Sequence, residues 1–324
     1  TNRWFSTLSS PFMSFQITTA FVQQYSTNVQ MLLQQKGSRL RGCVNTQPFQ
    51  GKAASPVEQF GAVQAVRNAG RHSKTPIIST PQDRRWVNPN DYDWADLIDD
   101  QDKLRMIIDP SNAYVQAGVN ALGRGIDDEI VYGLLNSNNT GETGTTATGL
   151  LTAFNSGSQQ IANTVGASSA TGLNIAKLRA AKKILLEAEV DVDNDQLFMA
   201  ITAKQHDNLL NEAQAISLDY NSTPVMVDGR ITSFMGFNFI HSERIPGGAG
   251  FNTAINPAVT GYTTGSAWLV PFWAKSGVTL GIWGDVKTSI DRRPDMRNSW
   301  QVYCTGTFGA TRLEEKKCGV IACV

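Results

Sequence analysis

The sequence predicts an α+β protein: a mixed body of helices and strands, approached by an extended arm and carrying a long projecting loop. Three observations lead there. Asp109-Pro110 places an N-cap residue before a proline suited to the first helical position, and Tyr114, Ala117, Ala121, Ile126, Ile130 and Leu134 then recur at near-helical spacing. Leu197-Phe198-Met199-Ala200-Ile201 is a short continuous apolar run of the kind that suits a central strand covered on both faces. Between them in character, residues 38–90 carry no long apolar run but are punctuated by Gly42, Pro48, Gly51, Pro56, Gly61, Gly70, Pro76, Pro81 and Pro89. A compact domain rarely holds so long an irregular insertion unless it serves as a binding arm. The expectation is a two-stranded loop that projects from the body, with short β stretches at Phe60–Val66 and Ile77–Thr80.

The remaining elements follow in order. Residues 1–13 hold Trp4, Phe5, Phe12 and Met13 without a period and read as an extended arm. Val22, Tyr25, Val29 and Leu32 predict a helix over 14–35, stopped by Gly37. The helix from Pro110 runs to Leu135, about 39 Å at 1.5 Å per residue. Gly118, Gly123 and Gly125 weaken its interior and mark a bend or a close packing contact. A third helix is predicted over 173–190, with Ile175, Leu178, Leu185 and Ala188 inward. Thr202 caps another that passes Leu209 and Leu210 to Ile216. Strands are predicted at Ala267–Phe272, Val278–Trp283, Trp300–Phe308 and Glu314–Val324.

Bulk composition bounds the function. A chain of 324 residues buries a sizeable core in one large or two ordinary domains. Lys+Arg and Asp+Glu number 28 each, which argues against a dedicated nucleic-acid binder. No stretch approaches 18 apolar residues, so no helix is expected to span a membrane. Cys43, Cys304, Cys318 and Cys323 have neither metal-ligand spacing nor disulfide-rich density. Charge is unevenly spread: residues 1–57 hold five bases and no acid, whereas 91–109 holds Asp91, Asp93, Asp96, Asp99, Asp100, Asp102 and Asp109 against Lys103 and Arg105. Basic and acidic segments in one neutral chain suit head-to-tail contacts between copies, and equally suit two solvated faces.

No catalytic or cofactor constellation is visible. His72, His206 and His241 stand apart from any HExxH or triad pattern, and no GxSxG elbow occurs. Asp191-Val192-Asp193-Asn194-Asp195 imitates the start of a calcium loop, but Gln196 and Thr202 replace its glycine and bidentate glutamate, so a solvated turn is expected. Gly123-Arg124-Gly125 lies within a helix, and Gly141–Gly149 lacks a following lysine; neither cradles phosphate. No enzyme activity, metal or cofactor is therefore assigned.

Residues 228–246, Asp-Gly-Arg-Ile-Thr-Ser-Phe-Met-Gly-Phe-Asn-Phe-Ile-His-Ser-Glu-Arg-Ile-Pro, read as a β-hairpin feeding a loop, with Gly236 at a bulge or close approach. This unit resembles the glycine-turn, "Met-Gly-apolar-x-apolar" strand and mobile loop of major capsid proteins from tailed double-stranded-DNA bacteriophages. Leu197–Ile201 with the Leu209-Leu210 helix, and Gly309-Ala310-Thr311-Arg312 with Val320-Ile321, resemble further patterns of that family in the same order. The resemblance implies the Hong-Kong-97-like fold: an N-arm at 1–40, an extended loop at 41–100, a peripheral domain with a spine helix at 101–144, an axial domain at 145–285, and a return to the peripheral domain at 286–324.

It implies a structural subunit that self-assembles as hexamers and pentamers into an icosahedral virion shell, made in the host cytoplasm. Its partners would be copies of itself, a scaffolding protein, a portal, a decoration protein and non-specifically held double-stranded DNA. A cellular nanocompartment shell of the same fold is the alternative. Arg84, Arg85 and Trp86, Asp96 and Asp99, and Arg292 and Arg293 are expected at subunit interfaces, since arginine forms bidentate ion pairs. Lys36, Arg39 and Arg41 would face DNA or pair with a neighbour's acids. Lys52 or Lys74 occupies the loop in which some relatives form a covalent cross-link. Some relatives also carry an acidic scaffolding segment ahead of the N-arm; either a separate protein supplies it or it was removed before Thr1.

Overall fold

The computed structural model describes residues 34–67, 70, 74, 77–99, 111–141, 150–152, 156–212, 226–227, 229–247 and 268–324. In chain order these give β1 (Asn45–Pro48), β2 (Glu58–Phe60), β3 (Gln82–Arg84), β4 (Asn90–Ile98), α1 (Ser111–Leu135), β5 (Asn138–Thr140) and β6 (Leu150–Thr152). There follow α2 (Ser156–Gln159), β7 (Gln160–Ile161), α3 (Ile175–Glu187), β8 (Leu197–Ile201), α4 (Ala203–Leu210), β9 (Met226–Val227), β10 (Arg230–Ile231), β11 (Ser233–Phe234) and β12 (Phe237–His241). The last strands are β13 (Trp268–Ala274), β14 (Val278–Arg293), β15 (Ser299–Arg312) and β16 (Cys318–Cys323). The expected helix at 14–35 lies outside the described residues apart from Gln34 and Gln35, which are not helical, and the expected loop at 246–265 lies outside them apart from Pro246 and Gly247.

Two sheets organise the described residues. A four-stranded sheet has the order β1-β14-β15-β4, and a six-stranded sheet the order β11-β12-β8-β13-β16-β7. The helix α1 lies across the first, packing on β15, β14 and β4. Two short 3-10 turns, Lys275–Gly277 after β13 and Glu315–Lys317 before β16, carry the chain between the sheets. They touch: Leu313 N–H donates to Gly277 O at 2.8 Å. One continuous apolar core runs through both sheets, from Ile126, Ile130 and Leu134 to Met199, Phe237, Phe272 and Ile321.

Sequence pattern accounts for the central elements. All five residues of β8 are buried, because β12 pairs on one side in parallel and β13 on the other in antiparallel sense. Asn174 caps α3 by accepting from Lys177 N–H at 2.8 Å. In α4, Gln205 Oε1 accepts from Thr202 N–H at 3.0 Å, half of a capping box. That helix ends at Leu210 rather than Ile216, since Leu209 is the last residue it buries and Asn211 closes it.

Several expectations are corrected. Gly236 does not mark a bulge: Met235 (φ 53°) and Gly236 (φ 87°) are both left-handed and form the tight turn between β11 and β12. A second hairpin, β9–β10, precedes it. Phe60–Val66 and Ile77–Thr80 are not strands beyond Phe60 itself; Val63, Val66, Ile77 and Ile78 are exposed and have no strand to pair with. The loop is nonetheless two-stranded at its base, where β2 pairs with β3 and Ala54 bridges Val87. β14 extends ten residues past Trp283, to Arg293, because β15 pairs along its whole length. The final strand does not return beside α1. β16 enters the six-stranded sheet between β13 and β7, as its uniformly buried Cys-Gly-Val-Ile-Ala-Cys suits a strand covered on both faces.

Gly118 and Gly123 mark close approach, as does Gly133; Gly125 does not, since a Cβ there would meet Tyr92 at an ordinary 3.4 Å. A Cβ on Gly118 would meet Trp94 and Cys304, on Gly123 the backbone of Gly37 and Ser38, and on Gly133 the backbone of Ala310, all at 2.6 to 2.8 Å. Across the sheet, a Cβ on Gly309 would lie 2.1 Å from Asn88 O. Gly309→Ala is expected to destabilise the subunit by about 1–3 kcal/mol, since backbone must move to admit the methyl. Gly42→Ala, with nothing within 4 Å, should stay within about 0.5 kcal/mol of wild type. Urea unfolding of the two variants checks the pair.

Candidate assembly surfaces

A subunit that builds by contact must first fix the parts that carry those contacts. Three consecutive acids of α1 do this. Asp127, Asp128 and Glu129 are all buried, and successive residues on a helix point about 100° apart. Asp127 accepts from Arg39 N–H at 3.1 Å, Leu40 N–H at 3.0 Å and Ser38 Oγ at 2.5 Å, fastening residues 38–40. Asp128 takes a two-pronged ion pair from Arg244, with Nε at 2.7 Å. Glu129 accepts from Asn90 Nδ2 and Tyr92 OH, both at 2.8 Å, fastening the start of β4. Burial pushes the Asp128 and Glu129 carboxyls above the usual range, against the opposing effect of their donors. Tyr92 is pushed upward by burial and by Glu129 beside it.

Sequence reasoning did not single out these acids. The available signal was their setting: Leu122, Ile126, Ile130, Val131 and Leu134 surround the helix with apolar side chains, so charges among them had no solvent face to occupy.

A second buried knot closes the base of the projecting loop. Glu315 bridges Arg85 Nη2 at 2.6 Å and Arg312 Nε at 3.4 Å. Arg85 Nε also donates to Leu313 O at 3.1 Å, and Arg312 Nη1 to Asn136 O at 3.2 Å. Arg85, expected at a subunit interface, is thus 5% exposed and spends its guanidinium inside its own chain. Its neighbours differ. Arg84 is half-exposed, pairs with Glu58 across β2–β3 and lies 5.7 Å over the Trp86 ring. Trp86 is partly buried and donates from Nε1 to Gly141 O at 2.7 Å.

Beyond that knot the loop exposes large apolar side chains: Phe60 is 66% exposed, Val66 59% and Ile77 98%. At the far end of the β14–β15 hairpin the tip is held in shape. Arg292 stacks 4.5 Å over Trp300, Arg293 forks onto Asp295, and Ser299 Oγ donates to Asp99 Oδ1 at 2.5 Å. Arg297 and Asn298 are left-handed there, and Met296 is exposed. Asp96 sits exposed on β4, the outer strand of its sheet, where charge blocks unwanted edge pairing. Asp100, Asp102 and Asp109 lie outside the described residues.

The basic candidates divide. Lys36 is exposed, Arg39 Nη1 donates to His241 O at 2.7 Å, and Arg41 pairs with Asp285 at 3.0 Å. Lys52 and Lys74 are exposed. His206 accepts from Ile231 N–H at 3.2 Å, and His72 lies outside the described residues. Asp191 and Asn194 form a hydrogen-bonded turn, as expected. Among the described residues no group of three or more His, Cys, Asp or Glu side chains is placed to hold a metal ion, and no helix is long and apolar enough to cross a membrane.

The family model described as phage capsid protein matches residues 17–324. The chain belongs to the phage capsid protein family. Solved capsids share its fold. The capsid structure of cyanophage P-SCSP1u superposes with a TM-score of 0.70 at 14% identity, covering 95% of this chain and 94% of that one. The mature capsid of bacteriophage PhiM1 gives 0.67 at 10% identity, with 94% and 92% covered. The capsid of a native GTA particle gives 0.59 at 11% identity, with 98% and 100% covered. No curated protein matches the chain. The capsid protein is a structural subunit of the virion shell, not an enzyme, and its α+β body is related to the Hong-Kong-97-type capsids.

Two tests address the acids of α1. Asp127→Ala should speed tryptic cleavage after Arg39 and Arg41 in the isolated subunit, as four donors, Gln35 Nε2 among them, lose their acceptor. Glu129 has a raised folded-state pKa, so its contribution is fullest below the unfolded value of about 4.3 and declines as pH rises through the folded one. Glu129→Gln removes that titration. The stability difference between the two proteins, from urea unfolding, should therefore shift toward the variant as pH rises; parallel profiles would sink the assignment.

Proposed function

We propose that copies of this capsid protein assemble as hexamers and pentamers into an icosahedral shell enclosing viral double-stranded DNA. The N-arm (1–40) and extended loop (41–100) reach neighbouring copies. α1 acts as the spine of a peripheral domain (101–144), β7, β8 and β11 to β13 of the six-stranded sheet centre an axial domain (145–285), and 286–324 lays β15 back against the spine before β16 joins that sheet.

One observation supports this reading above others. The projecting loop presents Phe60, Val66 and Ile77 to solvent on a stem rooted by Glu315, Arg85 and Arg312. Among the described residues nothing covers them, and large apolar side chains gathered on one projection mark an interaction site. Trp86 and Arg84 at its root, and Asp96, Asp99, Arg292 and Arg293 around the hairpin tip, are the polar contacts that set register between copies. Arg85 stiffens the root and makes no outward contact. Lys36 is the basic side chain turned outward toward DNA or a neighbour, whereas Arg39 and Arg41 brace the arm on the body. A scaffolding protein, portal and decoration protein complete the partner set.

Phe60→Asp with Ile77→Asp should leave the circular-dichroism spectrum and thermal midpoint of the subunit unchanged while abolishing closed particles in negative-stain electron microscopy. Arg292→Glu with Arg293→Glu should do the same; shells of wild-type size from either variant would remove its surface from the proposal. Nuclease-protected double-stranded DNA inside the particles separates a viral shell from a protein-filled cellular compartment.

A further inference from the structure

The helix α3 breaks two local rules of helix chemistry. Residues 175–183 carry four bases (Lys177, Arg179, Lys182, Lys183) and no acid, whereas 184–203 carries five acids (Glu187, Glu189, Asp191, Asp193, Asp195) and no base. The macrodipole favours the reverse order, acids at the start and bases at the end. Glu189 then takes a left-handed conformation (φ 57°) just past the helix end, where Val190 N–H returns to Leu185 O at 3.1 Å. That position is the natural place for glycine. Glycine there would relieve the strain, yet the chain places an exposed carboxylate.

Three of those bases, Arg179, Lys182 and Lys183, together with Glu187, edge a groove of about 830 Å³ whose apolar lining includes Val165, Ala176, Ala180, Leu186 and Met235, whereas Lys177 is buried on backbone carbonyls. Leu186 is 51% exposed. Met235 is held at φ 53° in the β11–β12 turn, another position that asparagine or glycine would fill with less strain. Among the described residues Arg179 and Lys182 have no ion-pair partner, and Lys183 meets Glu187 at 3.4 Å. Among the described residues, of the four non-glycine residues with positive φ, two lie at the β14–β15 tip and the other two, Glu189 and Met235, lie at these patches. Strain of this kind persists where a function holds it in place.

We infer that α3 is a head-to-tail coupler: the acidic turn at its end (Glu189, Asp191, Asp193) docks on the basic groove (Arg179, Lys182, Met235) of a second copy of this chain. The two patches are different and complementary in charge, as a heterologous contact requires; such a contact builds a ring where the rotation between copies closes. The inference rests on the shell-building reading and assigns a specific contact within each ring. It also explains the broken dipole rule: charges that weaken the isolated helix are compensated by a neighbour's.

The test uses the full chain under conditions in which wild type forms particles. Arg179→Glu with Lys182→Glu, and separately Glu189→Lys with Asp193→Lys, should each lower particle yield at least about tenfold, because like charges then face one another. Both variants should keep the wild-type circular-dichroism spectrum and sediment as folded subunits. The fourfold variant that exchanges both patches should regain particles. Glu189→Gly should raise the subunit's Tm yet lower particle yield, opposite signs that a purely structural role would not produce. Undiminished yield from both double variants, or no recovery in the fourfold variant, would overturn the coupler. Absence of particles from wild type would instead overturn the shell reading. In that case the coupler is judged by sedimentation at low salt, where wild type should self-associate and Arg179→Glu/Lys182→Glu should not.

Discussion

Desolvated carboxylates within a single helical turn hold the fold's separate parts to one beam. Asp127, Asp128 and Glu129 lie where α1 is otherwise sheathed in aliphatic side chains, and each is satisfied by a different stretch of chain: residues 38–40, Arg244 and the start of β4. Removing a partner from such a buried charge is far more damaging than losing an exposed one, because the remaining ion has no water to turn to. The neighbouring glycines serve the same end. With no Cβ at Gly118, Gly123 and Gly133, the helix sits close enough to β15, β4 and the Gly37–Ser38 backbone for short side chains to bond across the gap.

Around this beam the molecule separates into a fixed body and projections. The Glu315 bridge between Arg85 and Arg312 is where the separation is enforced, since it ties the loop root to β15 and to the carbonyls at the end of α1. Past it, apolar side chains face outward and the backbone has few partners. The tip of the β14–β15 hairpin is built differently, with stacked Arg292 and forked Arg293 holding a fixed shape. A loop with exposed apolar area supplies adaptable contact, and a rigid charged tip supplies register.

What the sequence disclosed and what it withheld follow from the range of the interactions concerned. α1, β8, the Thr202 cap and the Asp191 turn rest on spacing or on neighbours three residues apart, and they were legible. The length of β14 was not, since an exposed stretch such as Lys287-Thr288-Ser289 becomes a strand only because β15 lies beside it. The placement of β16 depends on β13 and β7, which are distant in sequence. Arg85 looked like its neighbour Arg84; only the approach of Glu315, 230 residues on, takes it inside. The acids of α1 had a visible signal in their apolar setting, but their partners, residues 38–40, Arg244 and the start of β4, are remote in sequence.

The position of β16 governs when a newly made polypeptide becomes competent. Its six residues form an inner strand, so β13 and β7 have no common partner until residues 318–323 have been translated and released from the ribosomal tunnel. A product cut short before residue 318 lacks the piece that joins both edges, and its six-stranded sheet divides between β13 and β7.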